Sequence, residues 1–207
     1  MTRKKSKSGA GSRARPDYYA RQAKKDRFPA RSVYKLREIQ EKYRLLRPGH
    51  TVLDLGCAPG SWLGYAADLV GPSGRVIGVD PKPADVEDRA NVLIFQSDIN
   101  ELEPSAWEVI DPGVDAVLSD MAPSTTGRKE VDAARSEQLC EMALYVADRA
   151  LKQDGAFVCK IFQGPGFKAF SESVRARFEN MKIFKPQSCR KESKEIYIIG
   201  MGKKQEA

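Results

Sequence analysis

The chain has 207 residues, 41% of them hydrophobic, and a mean hydropathy of −0.50, the profile of one soluble α/β-sized domain. No apolar run approaches the ~20 residues of a membrane helix, no apolar stretch follows the basic first residues as a secretory signal requires, and Cys57, Cys140, Cys159, Cys189 and His50 show neither zinc-ligand nor disulfide spacing. Residues 1–31 hold eleven Lys or Arg against Asp17 and Asp26, which leaves 24 basic and 26 acidic residues in 32–207, so the net charge of +7 belongs almost wholly to the N-terminus.

Residues 1–31 are poor in aliphatic side chains and rich in Ser, Gly and Ala, and they read as a flexible basic arm that meets nucleic-acid phosphates. Tyr18, Tyr19 and Phe28 offer rings for unpaired bases; the plainer alternative is a solubilising tail. From residue 32 to 207 the pattern predicts a single domain. Helices are expected at 32–44, 61–69, 131–152 and 166–179, with a weaker one near 83–89. Strands are expected at 51–55, 75–80, 92–96, 114–119, 155–162, 181–185 and 195–201. This alternation is that of a doubly wound, mostly parallel seven-stranded sheet. Leu139, Met142, Ala143, Val146 and Ala150 make a 3.6-residue stripe that should lie on the sheet, with Gly155 as the helix stop. No helix fits between the last two strands, so they are expected to be an antiparallel edge pair.

Thr51-Val-Leu-Asp-Leu55 is a buried-strand pattern, and Gly56 and Gly60 bracket the turn that follows it. A dinucleotide fingerprint would need glycine at Ala58 and Ser61, and Pro59 removes an amide that a pyrophosphate could use. The loop therefore fits a nucleoside cofactor without a pyrophosphate. Asp80, closing the next strand, stands where nucleotide folds bind ribose hydroxyls. Asp98, after the strand beyond it, is placed to meet an adenine amino group.

Three further strand ends carry charge: Asp120 after Val114–Leu118, Lys160 within Ala156–Phe162, and Glu195 before Ile196–Ile199. Such ends converge on one rim of a parallel sheet, where ligands bind. A lysine inside an apolar strand is costly unless it is paired or kept for chemistry. Lys35 lies off the stripe Val33, Leu36, Ile39 and Tyr43 of its helix, and pattern alone assigns it no role.

Together these residues resemble the FtsJ/RrmJ-type ribosomal RNA 2′-O-ribose methyltransferases. The matching stretches are Ala30-Arg-Ser-Val-Tyr-Lys35, Asp54-Leu-Gly-Cys-Ala-Pro-Gly-Ser-Trp62, Ser119-Asp-Met-Ala-Pro123, Lys160-Ile-Phe-Gln-Gly164 and Glu195-Ile-Tyr197. Ser124 and Cys189 depart from the family pattern, and neither belongs to its tetrad. The resemblance implies a Rossmann-like S-adenosylmethionine-dependent fold and a Lys-Asp-Lys-Glu tetrad at Lys35, Asp120, Lys160 and Glu195, with Lys160 the proton acceptor. It implies cofactor contacts at Gly60, Trp62, Asp80, Asp98 and Asp120, with Gly56 in the same loop. It also implies a uridine of large-subunit (23S) ribosomal RNA as target, met within the large subunit or a late assembly particle. The widely spaced cysteines and the missing apolar run point separately to a cytoplasmic protein that uses no metal and touches no membrane, and it is expected to be a monomer. The alternatives are a 2′-O-methyltransferase of tRNA or another RNA, a dehydrogenase on the same sheet, and a non-catalytic RNA-binding assembly factor. The missing loop glycines weigh against the dehydrogenase, and the complete tetrad against the dead scaffold.

Overall fold

Seven strands form one sheet in the order β3-β2-β1-β4-β5-β7-β6 in the computed structural model, which describes residues 18–86, 89–124, 126–190 and 192–205. They are β1 (Thr51–Leu55), β2 (Arg75–Val79), β3 (Val92–Phe95), β4 (Val114–Ser119), β5 (Leu151–Phe162), β6 (Phe178–Phe184) and β7 (Glu195–Lys203). The helices are α1 (Tyr18–Lys25), α2 (Val33–Tyr43), α3 (Ser61–Val70), α4 (Pro104–Ile110), α5 (Lys129–Ala150) and α6 (Phe167–Arg177). β1 pairs in parallel with β2 and β4, and its central position explains its largely apolar pattern, because both of its faces are covered. Leu53, Leu55, Ile77 and Phe157 belong to one face's core, and Val52, Val76, Leu118 and Tyr197 to the other's.

Only β7 runs against its neighbours. It pairs antiparallel with β6, which gives the expected edge pair, and also antiparallel with β5, beside which it is inserted with β6 outermost. The insertion places Glu195 opposite Phe162 and Tyr197 opposite Lys160. Both chemical segments of the C-terminal half thus share one ladder.

Several elements differ from expectation. α5 ends at Ala150 rather than near Gly155, and the chain enters β5 through an irregularity at residues 152–155, where Asp154 has φ 63. The stripe on α5 is rotated: Leu139 and Met142 are half-buried, while Cys140, Ala143, Leu144, Val146 and Ala147 are buried in the core. Among the described residues of 83–89 there is no helix, since Pro81 and Pro83 interrupt the stretch and Asp85 N–H bonds back to Pro59 O at 2.9 Å. α4, which the hydrophobic pattern did not announce, starts with Pro104 at its first turn and buries only Ala106 and Ile110.

The domain boundary expected at residue 32 also moves. Residues 18–31 are part of the fold: Ala23 is buried with Val33 and Tyr34, and Tyr19 and Phe28 pack beside them. Tyr34 Oη–H donates to Asp26 Oδ2 at 2.7 Å, and Ala30 N–H donates to Ser61 Oγ at 2.7 Å. Aromatic rings supply the apolar area that the missing aliphatics do not. The rest of the expected arm, residues 1–17, lies outside the described residues.

Candidate active site

Gly56 begins the loop after β1 with φ 76, and a Cβ there would overlap Met121 Cγ. Glycine is required on both counts, and the close approach brings the ends of β1 and β4 together. Gly56 N–H and Cys57 N–H both donate to Val79 O, at 2.8 and 3.2 Å, which ties the loop to the end of β2. A cavity of about 370 Å³ opens here, lined by Gly56, Asp80, Asp98, Asp120, Ile99 and Leu139 among others.

Four of the six expected cofactor residues line this cavity, and two do not. Asp80 accepts Ala58 N–H at 3.0 Å on Oδ2 and Lys82 N–H at 2.8 Å on Oδ1, which fixes the carboxylate and leaves each oxygen a lone pair for a ribose hydroxyl. Asp98 caps the turn at Ile99–Glu101 through Oδ1, which accepts from Asn100 N–H at 2.9 Å. Gly60 instead faces the 85–86 segment, where a Cβ would lie 2.8 Å from Asp85 O. Trp62 is only 3% exposed and sits behind the site. Its Nε1–H donates to Ser32 O at 2.8 Å and its ring stacks on Tyr197 with centroids 5.8 Å apart, so it braces α2 against β7.

One buried group close to Asp120 and Asp80 was not expected. Asp54, 1% exposed, has neither carboxylate oxygen hydrogen-bonded. Burial, reinforced by the charges of Asp120 and Asp80, raises its pKa well above the ordinary carboxylate range. A buried carboxyl without a donor calls for a cationic or N–H-bearing partner. S-adenosylmethionine carries ribose hydroxyls, a sulfonium and an ammonium, and the acceptor oxygens of Asp80, Asp98 and Asp120 that line the cavity fit such a donor-bearing, cationic cofactor.

The four tetrad residues come together from four elements. Lys160 Nζ lies 3.0 Å from Asp120 Oδ1 and also donates to the Asp120 carbonyl. Lys35 Nζ lies 2.9 Å from Glu195 Oε2. The two pairs meet at Tyr197, whose Oη–H donates to Asp120 Oδ1 at 2.6 Å while Lys35 Nζ stands 6.0 Å over its ring. Tyr197 is fully buried, and sequence pattern marks its segment, Lys194–Tyr197, only for Glu195. The signal that could have found it is its register: it stands directly opposite Lys160 across β5 and β7.

The electrostatics follow from these contacts. Burial pushes Asp120 upward, but Lys160, Lys35 and the Tyr197 hydroxyl outweigh it and hold the carboxyl below its usual range. Burial alone would lower Lys35; Asp120 and Glu195 reverse this and leave it raised, hence firmly charged. Burial raises Tyr197 far above an ordinary phenol, with Asp120 and Glu195 adding to it, so the phenol remains a donor. Cys189 is pushed up to about 12 by burial and by Glu195, and stays a thiol. Among the described residues no cluster of His, Cys, Asp and Glu could hold a metal, and no helix is long and apolar enough to cross a membrane.

Comparison with known proteins identifies relatives of the chain. The chain is 57% identical over 188 residues to the ribosomal RNA large subunit methyltransferase E of Desulforapulum autotrophicum, covering 91% of this chain and 93% of that one. Its fold is similar to a crystal structure assigned to a ribosomal RNA methyltransferase of Plasmodium falciparum, with a TM-score of 0.76, 25% identity and coverage of 85% and 98%. Aeropyrum pernix fibrillarin, solved with S-adenosylmethionine bound, shares the fold at a TM-score of 0.59, 18% identity and coverage of 82% and 76%. The model of the FtsJ-like methyltransferases matches residues 28–203, and the chain belongs to that family.

Proposed function

We propose that this protein transfers a methyl group from S-adenosylmethionine to the 2′-hydroxyl of a uridine ribose in large-subunit (23S) ribosomal RNA. The observation that carries this reading is the tetrad itself: two lysine–carboxylate pairs joined through Tyr197 at the mouth of a cavity suited to the cofactor.

S-adenosylmethionine supplies a methyl group already activated on sulfur; a ribose hydroxyl is a poor nucleophile until its proton leaves. The residues of this chain answer the second problem. Lys160 Nζ spends two hydrogens on Asp120, and its remaining tetrahedral position takes no bond among the described residues. Once the ammonium has released the proton at that position to solvent, the position is the lone pair, and Lys160 accepts the 2′-hydroxyl proton there. Asp120 then holds the new ammonium until solvent removes the proton. Lys35, kept charged by Asp120 and Glu195, steadies the developing oxyanion. Alignment of this kind contributes on the order of 7–11 kcal/mol in well-oriented systems, and base assistance about 10²–10⁴-fold.

The acceptor must be unstacked for its 2′-oxygen to reach Lys160, which favours a loop over a duplex. The protein acts as a monomer in the cytoplasm, on the large subunit or a late assembly particle, which holds such a loop better than short naked RNA. The test is methyl incorporation from labelled cofactor into free 23S-type RNA, intact large subunits and a loop oligonucleotide, with the modified nucleotide mapped. Incorporation at one uridine 2′-oxygen, highest on particles and nearly abolished by Lys160→Ala, is expected. Equal activity on the oligonucleotide would remove the particle from the reading. A Lys160→Ala variant that stays folded and keeps most of its single-turnover rate would remove lysine as proton acceptor.

A further inference from the structure

The Lys35–Glu195 pair joins residues 160 positions apart, on α2 and at the start of β7, through a single contact of 2.9 Å. The pair is therefore only as well placed as those two segments are held to each other. Glu38 supplies such a hold. It lies three residues past Lys35 on α2, a spacing that puts two side chains in neighbouring positions on one helix face.

Between β6 and β7 the chain turns at Pro186, where Cys189 N–H donates to Pro186 O at 3.1 Å. The two amides inside that turn both go to the Glu38 carboxylate. Oε2 accepts Gln187 N–H at 2.6 Å, and Oε1 accepts Ser188 N–H at 2.9 Å. From the other side Arg31 donates to the Ser188 carbonyl. Ser188 is fully buried, so both ends of its peptide group need these partners.

The turn leads to Glu195 by two routes. Cys189, its last residue, is buried, and its thiol lies close enough to Glu195 for that carboxylate to help raise its pKa. Further along, Ser193 N–H donates to Arg190 O at 3.0 Å, and Ser193 Oγ accepts Glu195 N–H at 3.2 Å. Lys185 Nζ donates to Ser193 O at 2.7 Å, and Gln163 N–H, just past β5, donates to Lys194 O at 3.0 Å. These contacts close a ring that runs from Lys35 to Glu38, through the Pro186–Cys189 turn and Ser193 to Glu195, and back to Lys35. Within that ring Glu38 is the link from α2 to the turn.

Resting on the reading of the tetrad as methyl-transfer machinery, we propose that Glu38 is a positioning residue for that reaction. By holding the Gln187 and Ser188 amides it sets Glu195, and through Glu195 the Lys35 ammonium, at the acceptor oxygen. Hydrogen bonds from backbone N–H to an ionised carboxylate are stronger than neutral ones, which suits them to this task. Glu38 does not line the cofactor cavity, so its effect falls on the rate of transfer and leaves cofactor binding alone.

Single-turnover methyl transfer to large subunits, with cofactor and particle saturating, tests this in wild type, Glu38→Ala, Lys35→Ala and the double variant. Glu38→Ala should slow the step roughly tenfold or more, as when a hydrogen bond to a charged group is lost, with cofactor affinity by calorimetry unchanged. In the Lys35→Ala background the same substitution should cost little more, because residues that act through one another are not additive. Glu41→Ala is the control: it breaks an exposed 3.1 Å pair with Arg37 on the same helix and should keep the wild-type rate. Glu38→Gln, which retains one acceptor oxygen, should slow the step less than Glu38→Ala, and it carries the cycle if Glu38→Ala does not fold. A wild-type rate in the Glu38 variant, or equal slowing in the wild-type and Lys35→Ala backgrounds, overturns the proposal. So does a Glu41→Ala protein as slow as Glu38→Ala, since the effect then belongs to α2 as a whole. A wild-type protein that methylates no RNA overturns the reading beneath, and the proposal with it.

Discussion

Tyr197→Phe isolates the one hydrogen bond that joins the two halves of the tetrad. The substitution keeps the ring stacked on Trp62 and under Lys35, and removes only the hydroxyl that donates to Asp120 Oδ1 at 2.6 Å. A hydrogen bond to a charged group contributes about 1.5–3 kcal/mol, and the phenol here lies in the buried heart of the site. At roughly 2–4 °C per kcal/mol for a chain of this size, the variant should melt about 3–12 °C lower near pH 7. The pH dependence supplies the decisive check. Asp120 is depressed in the folded state, so its contribution is present above the unfolded carboxylate value and is lost as pH falls through the folded value. The gap between variant and wild type should therefore close as the solution is acidified below the ordinary carboxylate range. Calorimetric melts at several pH values measure it, and turnover at neutral pH should fall about tenfold with Asp120 less firmly oriented, the equivalent of ~1.4 kcal/mol in the barrier. An unchanged melting temperature near pH 7, or a gap of equal size in acid, would refute the idea that the phenol acts through the Asp120 charge.

Three other substitutions or deletions test the remaining parts. If the fixed carboxylate accepts a ribose hydroxyl, Asp80→Ala should weaken cofactor binding by about 1–3 kcal/mol, read by titration calorimetry; unchanged affinity refutes that placement. Asp54→Asn should raise the melting temperature of the cofactor-free protein at pH 8 and do less at pH 4, since a carboxyl with a raised folded pKa loses stability as pH rises through that value. The same variant should bind the cofactor more weakly, and a gain in both properties would show that Asp54 does not serve the positive end of the ligand. Deleting residues 1–15 should flatten the salt dependence of RNA binding by about 0.7–0.9 for each phosphate the segment neutralises, and an unaltered slope and affinity would return the segment to a solubilising tail.

The sequence by itself determined the sheet and most of its chemistry. β1 and β4 coincide with their expected ranges because a strand covered on both faces must be largely apolar, and that requirement is local. The Gly56 turn and the charged residues at strand ends are local features too, and a parallel sheet gathers such ends at one rim whatever the loops do. What no local pattern carries is which distant residues meet. Tyr197 and Asp120, 77 positions apart, become partners only because β7 is inserted antiparallel beside β5. Residues 18–31 read as polar arm because their apolar area is aromatic, and its worth depends on Val33 and Tyr34 being there to cover it. Trp62 belongs by position to a cofactor loop, yet helix α3 turns it toward Ser32 and Tyr197, where burying the ring and satisfying its N–H are achieved together. Asp54 has the local pattern of an ordinary strand residue; its lack of a partner arises only where packing closes around it and leaves both oxygens without a donor.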